Sequence, residues 1–351
     1  MIKIKHLLLS ATAVICCMVY ISCDHRELSD PANVHYLRVY LNEEIKNVTY
    51  GFYNEAYEHP SFNSPLNMRA VLASEEMGEI VSEVLLRNQG SDERGKYIEG
   101  YIGAESGNYN LLVYQLGSPV TQIGYPNDYY EMVAYTNPVS ERVLGYLSQI
   151  SSKADKESIV DEPEHILVAR GRNLHLSHYL GADTLKNENG DYFTASSIAK
   201  SYYLQLQIKG VEWVKAAAAV LSGMAGSSKL CEENGMVVSD SVNLFFSMQY
   251  ADKRLRTGEE SSIATLYTTF ATFGKIPDEL SVLTLNFEFT KSDGSTQVES
   301  IDITDVFKTP MAIENQWLII DKEIVITRPT GSGGMTPEVE GWQDITADVP
   351  M

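Results

Sequence analysis

Aliphatic and polar positions alternate along most of this chain. In Tyr36-Leu37-Arg38-Val39-Tyr40-Leu41 one parity is aliphatic and the other carries larger, more polar side chains, the period of two that a half-buried strand requires. Comparable short runs at 66–72, 80–86, 97–102 and 109–116 predict further strands. Turn chemistry lies between them at Asn63-Ser64-Pro65, Asn88-Gln89-Gly90-Ser91-Asp92 and Glu105-Ser106-Gly107-Asn108. Residues 140–150, with Val143, Leu144, Leu147 and Ile150 three and four apart, predict a short helix.

The pattern then breaks. Residues 151–163 are charged, polar and interrupted by Pro163, the composition of a linker. Strands resume at 165–169, 174–180, 200–211, 242–248, 263–273, 280–289 and 317–326. Lys291-Ser292-Asp293-Gly294-Ser295 predicts a hairpin into 298–303, because Asp-Gly between alternating runs supplies the positive φ of a tight reversal. The stretch Trp213–Met224 (WVKAAAAVLSGM) is ambiguous: four alanines favour a helix, whereas Ser222-Gly223 would break one, so a strand or short helix over the second core is expected. Many short strands with turns between them read as an all-β chain of two β-sandwiches, 34–150 and 164–329. After them, 330–351 reads as a glycine-rich hinge (Gly331-Ser332-Gly333-Gly334) and tail.

The N-terminal end changes this picture. Lys3, Lys5 and His6 precede fifteen uncharged residues, Leu7 to Ile21, a run too short to span a bilayer comfortably. It ends at Ser22-Cys23 and breaks at once into Asp24, His25, Arg26 and Glu27, which is the layout of a secretory signal. Ser22-Cys23 resembles the lipobox of bacterial lipoproteins, although Tyr20 stands where that motif usually has leucine. The resemblance implies removal of 1–22, lipidation of Cys23 with acyl chains such as palmitate, and a tether over 23–33.

Of four cysteines, Cys16 and Cys17 would leave with the signal and Cys23 would carry lipid. Cys231 then remains alone, expected as a small buried side chain without a disulfide. The formal charge of −20 becomes −22 once Lys3 and Lys5 are removed, and so acidic a surface disfavours nucleic acid and anionic lipid headgroups as partners.

Few residues point to chemistry. His175 and His178 are three apart in a strand-like run and face roughly opposite ways, so they read as ordinary strand histidines; His25, His35, His59 and His165 show no ligand spacing. No G-x-S-x-G elbow, Walker A or G-x-G-x-x-G motif is present. Asn187-Glu188-Asn189-Gly190-Asp191 faintly resembles a calcium loop but lacks its register of oxygen ligands, and reads better as a hairpin turn. No catalytic residue, metal or cofactor is therefore assigned. Tyr125, Tyr129 and Tyr130 form a tyrosine-rich segment with Tyr135 beyond, and their faces could stack on sugars.

Several stretches together resemble a recurring family of Bacteroidales lipoproteins: the start Cys23-Asp24-His25-Arg26-Glu27-Leu28, then LRNQGSDERGKYIEGYI (86–102), VAYTNP (133–138), KSYYLQLQIKGVEWV (200–214), LSGMAGS (221–227), IDITD (301–305) and QWLIID (316–321), with Trp342 in the tail. That family is similar to FimB-type fimbrial-anchor lipoproteins and fimbrillin-like proteins. The resemblance covers essentially the whole mature chain. It implies two tandem transthyretin-like, Greek-key sandwiches, a lipid-anchored place in the cell outer membrane, and a non-enzymatic part in anchoring or assembling a fimbria for adhesion. It also implies fimbrial shaft subunits as partners through strand donation, for which Val339, Trp342, Ile345 and Val349 could fill pockets along a groove; in the isolated monomer the tail is instead expected to fold back onto its own second sandwich, with Trp342 buried against it. The alternative is a surface glycan-binding lipoprotein. Two tripeptides, Asp183-Thr184-Leu185 and Asp240-Ser241-Val242, resemble O-glycosylation sites of exported Bacteroides proteins, with Thr184 and Ser241 as acceptors.

Overall fold

The computed structural model describes residues 34–42, 64–147, 150, 159–177, 183–232, 241–255, 261–276 and 282–329. Two β-sandwiches account for most of them. The first is built from β1 (Val34–Leu41), β2 (Met68–Ser74), β3 (Ile80–Leu86), β4 (Asn88–Asp92), β5 (Gly95–Gly103) and β6 (Gly107–Gln115). A small sheet begins with β7 (Thr121–Gly124) and β8 (Val133–Thr136), and α1 (Glu141–Tyr146) and β9 (Ile159–Val160) follow. Then come β10 (Leu167–Leu176), β11 (Asp183–Thr184), β12 (Phe193–Ser197), β13 (Lys200–Lys209), β14 (Val214–Ala225), β15 (Ser227–Lys229), β16 (Ser241–Ser247) and β17 (Gln249–Leu255). The chain closes with β18 (Ser262–Thr272), β19 (Thr284–Lys291), β20 (Thr296–Asp302), α2 (Pro310–Asn315) and β21 (Trp317–Val325).

The first sandwich is one nine-stranded sheet in the order β3-β2-β6-β10-β12-β1-β5-β4, with β11 also paired to β1. It turns its corner where β10 meets β12 through only two residue pairs, Leu167 with Ser197 and Val168 with Ser196. The two halves then face each other, and β3 packs back against β5. Leu37, Val39, Ile98 and Phe193 from one half meet Met68, Leu72, Leu111, Val113 and Leu167 from the other. The second sandwich stacks a four-stranded sheet, β17-β18-β13-β21, on a five-stranded one, β20-β19-β14-β16-β9. Its core holds Phe246 stacked on Phe270 at 4.6 Å, with Phe287, Phe289, Leu204 and Leu318 around them.

The division between sandwiches differs from the one expected from composition. Strands β10 and β12, expected from the sequence in the second sandwich, pair with β6 and β1 of the first. Conversely, α1 and β9 leave the first half of the chain and join the second sandwich, where Val143, Leu144, Leu147 and Ile159 pack on Ala218, Val220 and Phe245. Of the stretch predicted as a linker, residues 151–158 lie outside the described residues, Ile159–Val160 form β9, and 161–163 begin the passage from β9 to β10. Periodicity reports which face a strand buries but not which sheet it joins, so the return of the chain was invisible to it.

The alanine-rich stretch is a strand, preceded by a single 3-10 turn at Val211–Trp213. Ala217 and Ala219 face the second core while Ala218 and Val220 face α1, so small side chains serve a strand covered on both sides. Asp293-Gly294 makes the predicted hairpin between β19 and β20, with Gly294 at φ 82°. Asn88–Asp92 is strand β4 rather than a turn. The turn at Asn187–Asp191 forms, with Asn187 Oδ1 accepting from the N–H groups of Asn189 and Asp191, but it is not a hairpin. Both β11 and β12 run parallel to β1, so the loop is an excursion from one interrupted strand.

Candidate functional site

The outward face of β1 and β5 carries the densest functional-looking chemistry among the described residues. Two five-residue patterns, Tyr36-Leu37-Arg38-Val39-Tyr40 and Tyr97-Ile98-Glu99-Gly100-Tyr101, lie antiparallel in register. Tyr36 opposes Tyr101, Arg38 opposes Glu99, and Tyr40 opposes Tyr97. Inward residues Leu37, Val39 and Ile98 are fully buried, which fixes this parity to the outside.

Arg38 is the hub. Its Nε donates to Glu99 Oε2 at 2.9 Å and to the Tyr36 hydroxyl at 3.0 Å, and its terminal nitrogens reach Glu99 at 2.8 Å and Asp92 at 3.3 Å. The guanidinium lies 3.9 Å above the Tyr97 ring, a cation–π distance, with Tyr36 and Tyr192 each 5.8 Å away. The Tyr40 hydroxyl donates to Asp92 at 2.7 Å, and the Tyr36 hydroxyl donates to Glu99. Ring centroids are 5.5 Å apart for Tyr36–Tyr101, 5.8 Å for Tyr40–Tyr97 and 5.7 Å for Tyr40–Tyr192.

Gly90 belongs to this arrangement, because a Cβ there would stand 2.4 Å from the Tyr97 ring. Burial first, then the hydrogen bond to Glu99, pushes the Tyr36 phenol up to about 12. The hydrogen bond from Tyr40 is the main cause holding Asp92 below the usual carboxylate range. Reading the sequence alone missed this site. The matched Tyr-x-charge-x-Tyr patterns, opposite in sign at the centre, were its available signal.

The three tyrosines singled out from sequence do not form one platform. Tyr125 is 69% exposed and sits at φ 51°, whereas Tyr129 is 2% exposed and packs with Met132, Ala134 and Cys231. The Tyr129 hydroxyl has no hydrogen-bond partner among the described residues, and burial pushes it up to about 12. Tyr130 is edge-on to Tyr129 at 5.2 Å and donates to the Glu75 carbonyl at 2.5 Å. Thr184 lies in β11 opposite Tyr36, beside the tyrosine face, and Ser241 is exposed at the start of β16. Cys231 is buried, as expected, and burial pushes its thiol up. His175 pairs with Asn108 Oδ1 at 2.9 Å. Residues 1–33 with Cys23, His59, His178, and the tail with Val339, Trp342, Ile345 and Val349 lie outside the described residues.

A second cluster of ionisable groups marks the crossing. Glu162 accepts the N–H of Ala271 at 2.8 Å, and burial pushes its carboxyl up to about 8. His165 bridges Ser197 Oγ at 2.8 Å and Ser201 Oγ at 2.7 Å, and burial holds its imidazole below the usual value. These groups tie the segment between β9 and β10 to both sandwiches.

Comparison with known proteins gives the geometry a context. No protein-family model matches the chain. A candidate fimbrium anchoring subunit of Bacteroides ovatus, Fim4B, is 23% identical over 270 residues, 69% of this chain and 74% of that protein. A candidate adhesin from Bacteroides ovatus superposes with a TM-score of 0.58 at 17% identity, covering 88% of this chain and 98% of that one. This chain is similar to fimbrial anchor and adhesin proteins of Bacteroidales. The superposition establishes the fold they share. The fimbrial anchor protein Mfa2 from Porphyromonas gingivalis aligns with a TM-score of 0.47 at 12% identity, over 83% of this chain and 90% of that one.

Proposed function

We propose that this protein is an envelope component that anchors a fimbria or helps to assemble one, acting by binding rather than by catalysis. The observation that carries the reading is its likeness to Fim4B along more than two thirds of the chain, on a fold shared with an adhesin candidate. Lipid on Cys23 would hold the protein to the outer membrane. The tail from Met335 to Met351, reached through Gly331-Ser332-Gly333-Gly334, would supply Val339, Trp342, Ile345 and Val349 to the groove of a shaft subunit. Their spacing of three or four departs from strict alternation, so the donated segment would carry a bulge.

Two variants in the native host test this. Cys23→Ala should move the protein from the membrane fraction to the soluble fraction and leave filaments shed into the medium. Deletion of 335–351 should leave a folded, membrane-bound protein that no longer co-purifies with a filament subunit. Filaments that stay cell-attached and unchanged in length when the whole gene is deleted would overturn the reading.

A further inference from the structure

We propose that the tyrosine face centred on Arg38 is a carbohydrate-binding site. Its outward side chains on β1, β5, β4 and β12 include Tyr36, Arg38, Tyr40, Tyr97, Glu99, Tyr101, Asn88, Asp92 and Thr194, with the aliphatic Val34 at the end of β1. Protein interfaces share the enrichment in tyrosine and arginine but are depleted in carboxylates, whereas Asp92 and Glu99 stand at the centre of this face. A sugar ring instead offers a C–H face that stacks on an aromatic ring and an edge of hydroxyls that needs donors and acceptors.

This face supplies both. Tyr101 is 55% exposed. The hydroxyls of Tyr97, Tyr101 and Tyr192 make no hydrogen bond to any described residue. Besides Arg38, Asp92 accepts from the Tyr40 hydroxyl and the Arg94 N–H and Glu99 accepts from the Tyr36 hydroxyl; with about four lone-pair sites each, both carboxylates retain acceptor capacity.

The face is also ordered before any ligand arrives. Arg38 is held by two carboxylates and a phenol, Tyr97 is clamped between that guanidinium and Gly90, and Tyr192 has Lys186 at 5.2 Å and Arg94 at 5.9 Å. Ordering these side chains on binding therefore costs little, and an exposed ligand can be held at modest contact area. The Tyr36 phenol stays neutral to about pH 12 and Asp92 stays ionised down to the acid range. Recognition by these two groups is accordingly flat across neutral pH.

The test is binding of the purified protein to an array of neutral and acidic oligosaccharides, followed by titration calorimetry with the strongest hit. Tyr101→Ala, which removes an exposed ring, should weaken that hit by about tenfold without changing the melting temperature. Gly90→Val, which drives a side chain into the Tyr97 ring, should weaken it at least as much, with circular dichroism reporting that the fold persists. Tyr125→Ala, in the separate loop, should leave binding unchanged.

No oligosaccharide bound by the wild type would overturn the proposal. So would equal binding by Tyr101→Ala. A blank array combined with loss of filament-subunit co-purification in Tyr101→Ala would assign the face to a protein partner instead. The anchoring reading does not depend on either result, because its tests act through Cys23 and the tail.

Discussion

The first sandwich has two outer faces with opposite fates. Over β2, β6 and β10 the outward residues Val71, Ala73, Leu112, Tyr114 and Val168 are buried beneath β7, β8 and β15, together with Met132, Ala134, Leu230 and Phe273. Over β1 and β5 the outward residues are mainly tyrosines, Arg38 and Glu99, with Val34 at one end; among the described residues Tyr192 packs on Tyr40, while Tyr101 stays 55% exposed. Both faces belong to one continuous sheet. The difference is written in the strands: β6 reads Leu111-Leu112-Val113-Tyr114, buried on both parities, whereas β1 alternates strictly until its end. A strand that is apolar on both parities marks a contact the fold has already made. A strand that alternates tyrosine and arginine with leucine and valine marks a face left for something else.

The contrast can be broken from the covered side first. Leu112→Ala, fully buried beneath the small sheet, should lower stability by about 2–5 kcal/mol, the range for truncating a core leucine. Chemical denaturation would show it. A loss under about 1 kcal/mol would mean that the small sheet lies loosely on this face.

Glu162, at the seam beside the covered face, sharpens the comparison through pH. Its carboxyl titrates near 4.5 when unfolded and near 8 when folded, so the native state binds the extra proton. Stability from this group is complete below about pH 4.5 and is lost as pH rises through 8. Glu162→Gln should therefore leave stability at pH 5 nearly unchanged and raise it at pH 8–9 by an amount on the order of 1–2 kcal/mol, read from melting curves. Parallel melting curves for the two proteins against pH would refute the assignment.

The smallest effect is expected on the open face. Tyr101→Ala should change stability by no more than about 0.5 kcal/mol, because it leaves no cavity and no unpaired buried group. A loss of several kcal/mol would show that the tyrosine face holds the sandwich together.

Much of this architecture was legible in the sequence. Alternation located β3 and β13 to their ends or nearly so, Ser140 was the N-cap of the predicted helix, and Asp293-Gly294 made its hairpin. What alternation could not convey was partnership. Nothing local to Leu167–Leu176 says that it pairs with β6, far back along the chain and across the crossing, rather than with the strand that follows. The short strands β9, β11 and β15 lie below the length at which a period can be seen, and each exists because a longer neighbour templates it. The Arg38 site was half legible: its strand was found and its polar parity noted, but the site needs β5 in register and Gly90 beneath Tyr97.

The repeated crossing has a mechanical consequence. The chain passes from β8 to α1, returns from β9 to β10, and passes again from β12 to β13, while β15 of the second half is laddered to β8 of the first. Two beads on a single string would swing about their linker and unravel in succession under tension. Here a pull between the sandwiches is shared by three covalent strands and a ladder, so the joint behaves as a stiff splice with no lever arm. Single-molecule extension should record one force peak for the pair, and two well-separated peaks would show the splice giving way before its halves.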